Sequence, residues 1–372
     1  MLKTHSCAID PAVAGPPSSV LPRVGRPATL DDLELDDLES IRLLLRGDSV
    51  VDWHRLAFTD HAGVDRFLRL NEFDPASEAE MDRLEELRLD AVEYLSRVYA
   101  MSLPDEVAEG VAARDLFLMA SRKGPHQTSA CVVLKCMHII HHLAGRAALL
   151  KVSISDELIS RAIELKVMKV IEDLRGAGAP ITEFEWSRKP RDSQITKLMA
   201  KRSTIAASIY DKLRFRLIVP TAADLVPTLA MLMRQLVPFN YVVPGESVNQ
   251  LVDISKMLNS TSRLSALAAK MQPEHVVSDR PPTINEFSGA EYRIVNFVAD
   301  LPLRLEQLVA ATDLPPDLSH VVFVLTEFQI ADKDTAIANE SGECSHEAYK
   351  ARQHEQVLRR LHRGEHEALP SE

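Results

Sequence analysis

With 372 residues and a formal charge of −11, the chain is long enough for two buried cores and too acidic for broad, nonspecific nucleic-acid binding. Hydrophobic content of 46% beside 26% charged residues describes a soluble globular protein, and no apolar stretch reaches the ~20 residues that span a bilayer. Cys7, Cys131, Cys136 and Cys344 include no CxxC pair, which predicts reduced thiols and a cytoplasmic protein that engages neither DNA nor a membrane.

Residues 1–28 read as a flexible tail, with Pro16-Pro17-Ser18-Ser19 and no continuous apolar segment of the signal-peptide kind. From 29 to 150 the pattern is helical throughout. Leu35, Leu38, Ile41 and Leu45 share one helix face, and Gly47 offers a stop. Ser49 is placed to cap a further helix at Val50-Val51-Asp52-Trp53. The stretch 77–99 carries Leu84, Leu87, Ala91 and Leu95 on one face, and a mostly apolar, buried helix is predicted over 129–150. His138 and His142 stand four apart on that helix, as zinc ligands can. Without a glutamate in the HExxH position or an evident third ligand, they read as packing histidines.

The second domain is predicted over 151–365, with a tail at 366–372. A helix runs from Ser155 to Arg175, ended by Gly176, Gly178 and Pro180. Thr182, Phe184 and Trp186 alternate with Glu183 and Glu185 as in a half-exposed strand, and a helix follows from Ser193. A strand over 212–220 leads into a helix that ends near Leu236, and 245–282 reads as a polar, helical insertion. Strands near 292–297 and 321–330 flank a helix around 303–312, and a charged helix closes the chain at about 345–363. Strands alternating with helices predict a mixed α/β or α+β domain behind an all-helical one.

Two carboxylates sit at the ends of apolar runs: Asp211 opens 211–219, and Glu327 lies near the end of 321–330. Upstream, Arg188-Lys189-Pro190-Arg191 leads into a predicted helix start, where free N–H groups and the dipole favour anions. Lys197 falls one turn after Ser193, on the same face. Carboxylates at strand ends beside a basic turn suit a site for Mg²⁺ and a polyphosphate.

The succession of this basic turn, Asp211-x-x-x-x-Arg216, Tyr292-Arg293 and Glu327-Phe328-Gln329-Ile330, then Glu340-x-Gly342 and His346-x-x-Tyr349-Lys350, resembles the RelA/SpoT synthetase family over about 155–361. The resemblance implies a nucleotidyltransferase-like mixed sheet flanked by helices. It also implies a magnesium-dependent enzyme that transfers pyrophosphate from ATP to the 3′-hydroxyl of GDP or GTP, making (p)ppGpp. By position, Lys189, Ser193 and Lys197 match the element around the donor phosphates, with Arg188 offered as a neighbouring substitute for an arginine that is Ser187 here. Asp211 matches the magnesium aspartate and Glu327 the catalytic glutamate, which shares that metal. Arg216 matches the arginine of Asp-x-x-Gly-x-Arg, and Tyr292 the tyrosine stacked on the acceptor base.

The departures are as specific as the matches. The glycine of Asp-x-x-Gly-x-Arg is Arg214, Tyr-x-Ser-x-His continues as Tyr292-Arg293-Ile294-Val295-Asn296, and Lys-x-Asn-Gly is Ser288-Gly289-Ala290-Glu291. They leave two alternatives open: another acceptor, such as an adenine nucleotide or a tRNA 3′ end, or a nucleotide-binding regulator without catalysis. The hydrolase half of the family needs a His-Asp pair, and Asp60-His61 has the reverse order.

Overall fold

The computed structural model describes residue 22 and residues 28–48, 56–152, 154–200, 213–271, 289–308 and 318–361. The first half is helical: α1 (Leu35–Arg46), α2 (His61–Leu70), α3 (Glu78–Tyr99), α4 (Asp105–Ala108), α5 (Ala113–Ser121), α6 (Gln127–Lys151) and α7 (Asp156–Gly176). Gly47 ends α1 in the left-handed region at φ 66°, and the amides of Gly47 and Asp48 satisfy the carbonyls of Leu44 and Leu43. The helix expected at 50–53 lies outside the described residues.

After α7 come β1 (Glu183–Arg188), α8 (Arg191–Ala200), β2 (Leu213–Val219), α9 (Leu225–Gln235) and β3 (Val248–Asn249). Then follow α10 (Ile254–Leu258), α11 (Ser262–Ala268), β4 (Val295–Arg304), β5 (Val321–Asp332), α12 (Lys333–Asn339) and α13 (His346–Leu361). The five strands form one mixed sheet in the order β1-β2-β5-β4-β3, parallel only between β2 and β5. The fold is therefore mixed α+β. Two expectations need correction. Leu303 and Arg304 belong to β4, not to a helix, because Leu303 and Arg304 pair with Val322 and Val321. Within 245–282, Val248 and Asn249 add an edge strand to the sheet, so this segment is not wholly an insertion.

Strand alternation gives the sheet two unlike faces. On one, Phe184, Phe215, Phe328 and Phe297 run across four strands, with ring centroids 5.9, 5.6 and 5.2 Å apart in succession. The other face changes character along β5. Over Val321 and Phe323 it is covered by α6, whose Gly145 comes so close that a Cβ there would lie 2.4 Å from the Phe323 ring. Beyond that contact the face turns polar.

Helices and sheet share one contiguous core, running from Ala28 through Ile330. Polar ties also cross between them. Lys166 on α7 donates to Glu72 at 2.7 Å and to the Pro302 carbonyl at 2.6 Å, with both side chains buried. Arg234 on α9 grips Asp37 on α1, its Nε–Oδ1 distance being 2.7 Å. Buried groups of this kind need such partners, since a lone buried charge is costly. The histidines of α6 serve the same packing. His141 pairs with the Tyr241 hydroxyl at 2.8 Å and His142 with Asp300 at 2.8 Å.

Candidate functional site

The polar end of the sheet face is set by register. Glu327 on β5 has Arg214 on β2 and Val298 on β4 as its direct neighbours; Gln329 has Arg216 and Asn296. On β1, Ser187 lies opposite Arg214 and Glu185 opposite Arg216. Residues two apart on each strand share a face, so these side chains form a patch without any loop having to position them.

Glu327 is the centre of that patch. Its side chain is only 7% exposed, and both oxygens accept hydrogen bonds. Oε2 accepts from Arg214 Nε at 2.6 Å; Oε1 accepts from Asn296 Nδ2 at 3.0 Å and Gln329 Nε2 at 3.3 Å. One guanidinium and two side-chain amides thus stand in for the water that burial removes from this carboxylate.

Around it stand further cations and an aromatic. Arg216 pairs with Glu340, just after α12, at 3.0 Å. Tyr292 precedes β4 and lies over the same face. Burial pushes its phenol up, Arg216 and Arg214 pull it down, and Glu327 and Glu340 add to the rise. Its loop is pinned at two points, because Asn339 accepts from the Arg293 amide at 3.1 Å and donates to the Arg293 carbonyl at 2.8 Å. Gly289 makes the approach possible, since a Cβ there would lie 2.8 Å from the Glu343 carbonyl. His346 opens α13, its ring stacked on Tyr349 at 6.3 Å. Its pKa is lowered by burial first, then by Lys350 and Arg214, with Lys189 contributing in the same sense. The shared pull of Lys350, Arg214 and Lys189 on one imidazole marks this end of the sheet as cationic.

Of the site residues expected from sequence, Glu327 and Arg216 share this face, Tyr292 lies near enough to feel the charges of both, and Lys189, just after β1, adds to the charge around His346. Ser193 and Lys197 sit half-buried on α8, which packs against α13 through Met199, Ala200, Tyr349 and Val357. Asp211 lies outside the described residues. Arg188 is the correction. One residue after Ser187, its side chain turns to the phenylalanine face, where it pairs with Glu164 on α7, Nη2–Oε2 at 2.9 Å, and also with Glu157. Those carboxylates raise its pKa further, and it does not join the patch. Sequence reading had Arg214 and Asn296 only as departures; register makes them the partners of Glu327. The available signal was strand alternation through β2 and β4.

The described residues do not fit a divalent cation at Glu327. Mg²⁺ takes oxygen ligands at ~2.1 Å, whereas both oxygens here face N–H donors and one of those donors carries a positive charge. Among the described residues no three His, Cys, Asp or Glu side chains converge as a metal site. Among them, too, no helix is long and apolar enough to cross a membrane.

No protein-family model and no curated protein matches the chain. Similar solved structures include the small alarmone synthetase 1 from Bacillus subtilis, at 15% identity and a TM-score of 0.29, over 57% of this chain and 89% of that one. The small alarmone synthetase 2 from Bacillus subtilis is 15% identical, with a TM-score of 0.28 over 55% of this chain and 95% of that one. A GTP pyrophosphokinase family protein from Streptococcus pneumoniae is 14% identical, with a TM-score of 0.28 over 55% and 82% respectively. Identities and TM-scores this low carry neither fold nor activity across to this chain.

Proposed function

We propose that this protein is a nucleotide pyrophosphokinase, transferring pyrophosphate from ATP to the 3′-hydroxyl of a second nucleotide, GDP or GTP in the first instance. The observation behind this reading is the patch itself: a buried carboxylate, Glu327, paired with Arg214 and flanked on the next strand by Arg216, with Tyr292 near the same charges and His346 near Lys350 and Lys189. Cations at fixed positions suit a polyphosphate, because phosphoryl-type transfer depends chiefly on positioning and electrostatics. In the reaction, the hydroxyl oxygen of the acceptor attacks the β-phosphorus of ATP, the bond from that phosphorus to the α-phosphate bridging oxygen breaks, and AMP leaves. Glu327 takes the hydroxyl proton, a role that asks for a carboxylate within hydrogen-bond reach of the attacking group. Tyr292 offers a ring for the acceptor base. Ser193 and Lys197 on α8 are assigned to the donor phosphates, and Asp211 to the metal accompanying them.

A second reading, nucleotide binding without transfer, draws support from one observation: Arg214 already occupies the carboxylate that would act as the base. One experiment separates the two. The protein is incubated with γ-labelled ATP and Mg²⁺ against GDP, GTP, AMP, ADP and deacylated tRNA, and the products are identified. A labelled guanosine polyphosphate supports the first reading. Label on another acceptor keeps the chemistry and changes the substrate. No transfer, with nucleotide bound, supports the second.

A further inference from the structure

Glu327 is unusual for a carboxylate offered to a metal, because all its partners are carried by neighbouring strands of the sheet or by its own strand. Arg214 and Glu327 are direct partners on two hydrogen-bonded central strands, 113 residues apart in sequence. The Nε–Oε2 distance is 2.6 Å, and Arg214 is itself two-thirds covered. Arginine stays protonated at any physiological pH, so this cation cannot be titrated away. The other oxygen is held by the amides of Asn296 and Gln329. A divalent ion placed on either oxygen would meet a fixed positive charge or displace an amide donor.

We propose that Arg214 takes the place of a divalent cation at Glu327. The face then meets a nucleotide polyphosphate with Arg214 and Arg216, and with no metal ion lodged on that carboxylate. This rests on the polyphosphate reading given above. The planar guanidinium suits the task, because its fork of N–H groups can contact a carboxylate through one edge and a phosphate through another. A metal ion would bring two charges and exchangeable water; Arg214 brings one charge already oriented and two-thirds covered. Asn296 and Gln329 complete the arrangement by fixing the rotamer of Glu327, which keeps the guanidinium in register.

The test uses Mn²⁺ alone as probe, with free ion followed by electron paramagnetic resonance, on the full-length wild type, Glu327→Gln, Arg214→Gly and Arg214→Gln. Wild type and Glu327→Gln are expected to give the same Mn²⁺ isotherm. Arg214→Gly is expected to gain a site at least about tenfold tighter than any in wild type, a common scale for a change beside a metal ligand. Adding Glu327→Gln to that variant should remove the new site. Arg214→Gln keeps the side-chain length and the strand, and serves if the glycine variant loses its cooperative thermal transition. A wild-type Mn²⁺ site that disappears in Glu327→Gln would overturn the proposal. So would folded Arg214 variants that gain no site. A second arm measures ATP affinity in EDTA. It should persist without metal and fall about tenfold or more in Arg214→Gln, the scale of one lost charge-assisted contact. ATP binding that requires Mg²⁺ and Glu327 together would also overturn it. A protein that binds no nucleotide under any condition would instead refute the pyrophosphokinase reading, and the Mn²⁺ isotherms would still decide the metal question.

Discussion

Replacing Glu327 with glutamine tests the centre of the site through stability as well as through chemistry. The substitution keeps the side chain's size on β5 but turns one oxygen into an NH₂. The introduced amide can still accept from Asn296 and Gln329 through its remaining oxygen, so those bonds at 3.0 and 3.3 Å are not the loss. The loss is at Arg214, whose Nε then faces either a donor or a neutral oxygen in place of a carboxylate at 2.6 Å. Hydrogen bonds to charged groups contribute ~1.5–3 kcal/mol, and leaving a buried charge unpaired costs ~3–5 kcal/mol. Arg214 is 34% exposed, so water recovers part of its solvation. The expected destabilisation is therefore about 2 kcal/mol, towards the lower of those ranges. Urea denaturation at pH 7 should show a lower midpoint at unchanged slope. In an Arg214→Gln background the same substitution should cost about 1 kcal/mol less, since the pair is already broken. If the protein transfers pyrophosphate, the rate should also fall about 100-fold or more, the scale of a lost acid–base group. A Glu327→Gln protein as stable as wild type, or more so, would refute the pairing on which the site is built.

Three other outcomes follow from the same structure. Tyr292→Ala should raise the KM of the acceptor about tenfold to hundredfold, the scale of one base stacked on an aromatic ring, and leave that of ATP nearly unchanged; equal losses in steady-state kinetics would give Tyr292 a folding role instead. Lys166→Met should cost about 3–5 kcal/mol in urea denaturation, because Glu72 is left fully buried without its main partner; a loss below about 1 kcal/mol would show that Arg304, 3.5 Å from Glu72, suffices. Stability should fall on acidification below the ordinary histidine value of 6.5, because burial lowers His141 to about 4 and His138 to about 3, so the unfolded chain takes up protons first. Asp36, raised to about 6 by burial, works in the opposite sense over a narrower range, so the net slope is still downward. A urea midpoint that is flat or rises between pH 6.5 and 4.5 would refute it, and His141→Gln should shallow the decline.

Periodicity made most of the elements legible. Apolar spacing of three and four located α1, α3 and α7, a mostly apolar stretch α6, alternation β1, and apolar runs β2 and β5, each to within a few residues. It failed at β4, where Pro302 sits inside the strand between Leu301 and Leu303, and a proline within a run reads against a strand. The site was legible as a set of residue types and not as a geometry. Glu327, Arg216 and Tyr292 could be picked out by order along the chain, but which side of a strand each faces depends on register, and a one-residue offset reverses it. That offset is why Arg188 is tied to Glu164 while Ser187 faces the site.

Register also turns the scattered departures into one rearrangement. The arginine absent at position 187 and the arginine gained at 214 are direct cross-strand partners, one strand apart, on β1 and β2. Neighbouring strands lie ~4.8 Å apart, so an arginine at 214 stands one strand nearer Glu327 than one at 187 would. Asn296, standing where the resemblance called for a histidine, donates to the same carboxylate from β4 on the other side. A change at position 214 or 327 alone would leave a charge without its partner. Together these residues form a closed set around Glu327: a guanidinium on one oxygen and two amides on the other. Both oxygens of Glu327 are paired, as the proposed replacement of a divalent cation by Arg214 requires.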